Sequence, residues 1–96
     1  MIRHVVMWKL KQESGHENAL KIKSMLEELK PIIPEIKALE VGVNINVSDA
    51  AYDAVLISDF DNAADLQTYQ NHPDHKAVSK FVASVRTDRV VVDFEI

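Results

Sequence analysis

The 96-residue sequence has no cysteine, two glycines and three prolines. Without cysteine there are no disulfides, thiolate zinc sites, iron–sulfur clusters or cysteine nucleophiles. The two glycines, Gly15 and Gly42, stand too far apart to build a dinucleotide-type GxGxxG turn or a Walker loop. No stretch approaches the ~20 apolar residues of a membrane helix. The apolar opening, Met1 to Trp8, is interrupted by Arg3 and His4 and closed by Lys9. It is too short for a signal-peptide core with a cleavage site, so the reading is a cytoplasmic protein without a membrane partner. A basic excess is missing too: 15 acidic residues face 11 basic ones, for a net charge of −4. Lys9, Lys11, Lys21 and Lys23 are the densest basic positions and read as solvated surface, which argues against nucleic acid as a partner.

What is present fits one domain over residues 1–96, with 47% hydrophobic and 27% charged residues. Period-two alternation predicts a first strand over 2–11, with Ile2, His4, Val6, Trp8 and Leu10 on one face. A helix follows over 15–30. Ser14 is its expected N-cap, with Glu17 completing a capping box, and Pro31 and Pro34 end it. Strands are expected over 36–47 and 52–60, joined by a turn at Ser48–Ala51. Asp61 or Asn62 can cap a helix over 62–70. Pro73 breaks the helical pattern at Asn71-His72, and a further helix is expected over 74–84. The last strand is read over 87–95.

This β-α-β-β-α-β order predicts an α+β, ferredoxin-like fold: a four-stranded antiparallel sheet with helices on one face. The strands are apolar on both sides, however. Val5, Met7, Val55, Ile57, Val90 and Val92 fall on the face that the helices leave bare. Burial of such a face releases roughly 25 cal/mol per Å². The expected cover is a second copy of the chain, packed sheet to sheet as a homodimer.

The segment Tyr69-Gln70-Asn71-His72-Pro73-Asp74-His75 gathers two of the four histidines and a tyrosine at a break between helices. Histidine titrates nearest neutral pH, and a phenol can donate or accept a hydrogen bond. Together His75 and Tyr69 suit a general base and an oxyanion partner. His4 is a third candidate, on the strand face of Val6 and Trp8. Each residue also has a structural reading: Tyr69 as a core residue with its hydroxyl at the rim, His72 as a cap or turn, His75 as solvated, and His4 as a hydrogen-bonded sheet residue. His72 and His75 do not share a regular helical face across Pro73. With only Asp74 at hand, no metal site is expected. No serine sits in a G-x-S-x-G elbow.

The run from Ile2 to Lys11 resembles the start of the stress-responsive A/B-barrel (Dabb) family. Ile33-Pro34-Glu35-Ile36, Gly42 with Asn44, Tyr52-Asp53, Phe60, Leu66 and Asp93-Phe94 follow in the family's order. The Tyr-x-x-His-Pro-x-His run, Tyr69 to His75, is the most specific match. The resemblance implies a dimeric α+β barrel. It also implies, by way of the family's plant polyketide cyclase, a cofactor-free aldol-type chemistry in which Tyr69 and His75 match the catalytic pair and His4 lines the pocket. On that carry-over His75 deprotonates a carbon next to a carbonyl, and Tyr69 orients it or stabilises the enolate. The chain departs from the cyclase at Ala54 and Met25, where the cyclase carries a pocket histidine and tyrosine.

Two expectations follow. One is a cofactor-free lyase, cyclase or isomerase acting on a small carbonyl or phenolic compound. Its pocket is expected to be lined by His4, Val6, Trp8, Met25, Leu39, Leu56, His72, Val78 and Phe81. The other is a binding or stress-protective dimer without chemistry, in which His72-Pro73-Asp74-His75 only sets the angle between two helices. A monooxygenase of the same barrel type ranks third.

Overall fold

Alternation of apolar and polar residues produces four strands, and the apolar set on one side of each strand meets the apolar stripes of three helices. The protein's structure, a computed structural model, describes residues 1–96. The elements are β1 (Ile2–Leu10), α1 (Gly15–Glu27), β2 (Ala38–Val43), β3 (Ala54–Phe60), α2 (Ala63–Asn71), α3 (Pro73–Val85) and β4 (Arg86–Glu95). The sheet runs in the order β2-β3-β1-β4, with every neighbouring pair antiparallel. This is the ferredoxin-like α+β fold expected from the element order. No helix is long and apolar enough to cross a membrane.

The core lies between the helices and one face of the sheet. Val6, Trp8 and Leu10 from β1, Ala54, Leu56 and Phe60 from β3, and Val41 from β2 are buried there. They meet Ala19, Ile22 and Leu26 of α1, Leu66 and Tyr69 of α2, and Val78 and Val82 of α3. Full burial of one large aliphatic side chain contributes about 1.5–3 kcal/mol. On the opposite face β1, β3 and β4 present Met7, Ile57, Val90, Val92 and Phe94, all exposed in the single chain. At one end of that face Arg3 grips Asp59 through two hydrogen bonds of 2.8 and 3.0 Å.

Three local expectations are corrected. Ser14 does not cap α1 with its side chain; it sits in the left-handed region (φ 58°), and no capping box forms. The α1 helix ends at Glu27, not 30, because Pro31 has no N–H for the Glu27 carbonyl. Lys30 makes only a long, 3.4 Å bond to that carbonyl, three residues back. β2 stops at Val43, not 47. The Asn44 side chain accepts from the Asn46 N–H at 2.7 Å and donates to the Tyr52 carbonyl, which turns the chain out of the sheet. Ile45 and Val47, read as strand residues, are therefore 96% and 100% exposed.

The break before α3 follows the sequence closely. Asn62 caps α2 by accepting from the Asp65 N–H at 2.8 Å. His72, extended at ψ 135°, ends α2 and caps α3 by accepting from the Asp74 N–H at 3.1 Å, with Pro73 at the first helical position. This turn carries the chain from Tyr69 to His75 and brings both rings to one place.

Candidate active site

The site begins with helical spacing. From His75, positions 78, 79, 82 and 83 fall on the same side of α3. Val78, Ser79, Val82 and Ala83 do form one wall of a cavity of about 250 Å³ between α3 and the sheet. The strands supply His4, Val6, Trp8 and Leu56 opposite. Leu26 of α1, Gln70 of α2 and the arginines Arg86 and Arg89 of β4 complete the lining. An apolar cavity of about 150 Å³ accommodates benzene. At 250 Å³ this cavity has room for one substituted aromatic ring.

His75 is half-buried and its Nδ1 lies 3.1 Å from the Gln70 carbonyl oxygen. A carbonyl only accepts, so Nδ1 carries the proton and Nε2 is the acceptor of the neutral ring. Burial holds the His75 pKa below the ordinary 6.5. The charges of His4, Arg89 and His72 push the same way, and the Gln70 carbonyl opposes them. The imidazole is therefore neutral at pH 7.

The Tyr69 ring centroid is 4.3 Å from that of His75, inclined at 52°, and 5.1 Å from that of Phe60. Tyr69 is fully buried, and its hydroxyl is the one buried side-chain polar atom without a hydrogen-bond partner. Burial raises its pKa well above 10.0, against a smaller opposing effect of Arg89, so the phenol keeps its proton. The two neighbours are thus driven in opposite directions: one imidazole kept as a base, one phenol kept as a donor.

His4 is 2% exposed, and its Nδ1 donates to Asp93 Oδ1 at 2.5 Å. Register explains the pair, since His4 faces Asp93 across the β1–β4 ladder. The expected sheet partner for His4 thus exists, and His4 lines the cavity as well.

Of the residues expected in the pocket, His4, Val6, Trp8, Leu56, His75 and Val78 line it. Four are corrected. Met25 and Leu39 pack against the edge of the core instead. Phe81 lies six positions from His75, off the cavity side of α3, and stacks beneath the Lys21 ammonium at 4.4 Å. His72 caps α3 and borders a separate surface hollow with Gln67 and Thr68. Tyr69 does not line the cavity; it backs His75. Leu26, Gln70, Ser79, Val82, Ala83, Arg86 and Arg89 line the cavity beyond the residues that the sequence pattern points to. No three metal-ligating side chains come together in the chain.

The chain belongs to the stress responsive A/B barrel domain family, whose pattern it matches over residues 2–96. It is 31% identical over 80 residues to an uncharacterised protein of Streptomyces coelicolor, covering 80% of this chain and 81% of that one. A dimeric protein of ferredoxin-like fold from Bacteroides fragilis superposes with a TM-score of 0.91 at 32% identity, over 99% of this chain and 95% of that one. The hydroxynitrile lyase of Passiflora edulis shares the fold, with a TM-score of 0.85 at 20% identity over 99% of this chain and 92% of that one.

Proposed function

We propose that the protein is a homodimer whose protomers each bind a small aromatic or phenolic carbonyl compound, and that His75 removes a proton from the carbon next to the carbonyl. The observation that carries this reading is a neutral imidazole, oriented by the Gln70 carbonyl, in the wall of a 250 Å³ cavity where it faces apolar side chains such as Val6, Trp8 and Leu56. In the step, the C–H bond breaks, its proton goes to His75 Nε2, and its electron pair moves onto the carbonyl oxygen as an enolate. Tyr69, which does not reach the cavity, seats the imidazole from behind through ring contact. Return of the proton to a different atom is isomerisation. Attack of the enolate on a second carbonyl is the aldol closure of a cyclase. That a hydroxynitrile lyase is built on the same fold supports lyase-type chemistry as within its reach.

The dimer is supported by the bare sheet face. Val90, Val92, Phe94, Met7 and Ile57 are exposed together, opposite the helices. The Bacteroides fragilis protein of the same fold is dimeric.

A second reading, ligand binding without chemistry, draws on His72. Its capping bond and the complete burial of Tyr69 give the Tyr69–His75 segment an architectural task on its own. Titration of acetophenone into the labelled protein, followed by amide NMR, tests the shared part of both readings. Shifts centred on Val6, Trp8, His75 and Val78 are expected; shifts confined to other surfaces, or none at millimolar ligand, contradict both.

A further inference from the structure

The cavity carries a charge pattern that an apolar ligand does not explain. Its lining includes two guanidinium groups, Arg86 and Arg89, and not one carboxylate, in a chain of net charge −4. Of the chain's three arginines, Arg3 is paired with Asp59. Arg86 and Arg89 join no ion pair and no side-chain hydrogen bond. The carboxylates nearest them along β4 are engaged. Asp88 accepts from the Tyr52 hydroxyl at 2.8 Å and from the Arg89 backbone N–H. Asp93 is bound to His4.

Arg86 directly follows α3, where carbonyl groups at the helix end favour a cation. That accounts for Arg86 and not for Arg89, three residues along the strand. Arg89 faces Trp8 across the ladder, on the cavity side of the sheet. Its charge is felt at both His75 and Tyr69, where it favours the deprotonated form. Two unpaired guanidiniums beside one cavity make a seat for a planar anion, which they hold through parallel N–H···O bonds.

We infer that the ligand of this cavity is an acid: a single-ring or short-chain compound carrying a carboxylate that Arg86 and Arg89 bind, with its carbonyl-bearing part toward His75. This rests on the reading of the cavity as a ligand site and narrows its substrate class to carboxylic acids that also carry a ketone, such as aryl-substituted or short-chain oxo acids. The arginines would then do more than add affinity. A carboxylate fixed at the β4 side sets which carbon of the ligand reaches His75, and the cationic rim lowers the cost of a second negative charge on the enolate.

The test compares benzoate with benzamide, its neutral isostere, by NMR titration. The wild-type protein should bind benzoate about tenfold more tightly, the scale of one charge-assisted interaction. The preference should shrink in high salt. In Arg86→Gln/Arg89→Gln the affinity for benzoate should fall to that for benzamide, with benzamide binding unchanged. Arg89→Gln alone, at an exposed position, should lose part of the preference if the double variant is unstable. Equal binding of the two probes by the wild type overturns the acid assignment and leaves the cavity as a ligand site. A preference that survives the substitutions overturns the role of the arginines. Failure of both probes to perturb the cavity removes the ligand site and the acid assignment together.

Discussion

The rings of Tyr69 and His75 lie 4.3 Å apart, tilted by 52°, one backing the cavity and the other lining it. The turn His72-Pro73 makes this contact possible, since α2 ends and α3 starts between the two residues. The consequence is a division of labour by environment. The fully buried phenol stays protonated, and the half-buried imidazole stays neutral.

The hydroxyl of Tyr69 is desolvated with nothing to bond. Its removal should not cost folding energy. Tyr69→Phe is expected to raise stability by up to about 1 kcal/mol, because a buried unpaired polar group is itself a penalty. Urea unfolding measures this. Loss of more than about 1 kcal/mol would mean that the hydroxyl has a structural partner.

Stability should depend on pH through His75. Its folded pKa lies below the ordinary 6.5, so below that pH the unfolded chain takes up the proton more readily than the folded one. The contribution is complete above about pH 6.5 and is lost as pH falls from there through the folded value. Between pH 7 and 5 the wild type should therefore lose more stability than His75→Gln. Parallel pH profiles for the two proteins would contradict the burial argument.

The starts of α1 and α2 differ in a way that substitution can read. Asn62 accepts a real capping bond, and Asn62→Ala should cost about 1 kcal/mol. Ser14 makes no such bond, so Ser14→Ala should leave stability within about 0.3 kcal/mol, below the usual cost of a lost cap. Chemical denaturation of both variants separates a side-chain cap from a left-handed turn.

Much of this was legible beforehand because it follows from periodicity. The strand alternation around His4, Val6 and Trp8, the apolar stripe of α1 and the break at Pro73 are each local signals, and together they define the fold. The Ser-x-x-Glu pattern at Ser14 points to a capping box because the pattern does not reveal the left-handed backbone there. Val43 to Val47 alternates like a strand, but the pattern cannot show that Asn44 bonds its own backbone neighbours. In the site, a helical count from His75 would have rejected Phe81 and found Ser79, Val82 and Ala83. Arg89 was within reach as well, since the outward placement of Val90 and Val92 turns Arg89 inward. Arg86 and Gln70 depend on how α2, α3 and β4 meet in space, and no local pattern carries that.

The bare sheet face predicts association. Val92 is 62% exposed in the single chain, so Val92→Asp should leave the protomer folded. Sedimentation equilibrium should give twice 10.8 kDa for the wild type and 10.8 kDa for the variant. A wild type that sediments as a monomer at micromolar concentration contradicts the homodimer.

Proton abstraction by His75 is tested most directly by deuterium exchange into phenylacetone, a neutral aryl ketone with an acidic benzylic position. In heavy water, NMR follows the loss of its benzylic proton signal. The wild type should exchange these protons faster than buffer alone. His75→Ala, with its melting temperature little changed, should lose the enzyme-dependent rate by at least about 100-fold, the usual scale of a general base. Equal exchange by the two proteins, or exchange by the wild type no faster than buffer, would contradict proton abstraction by His75.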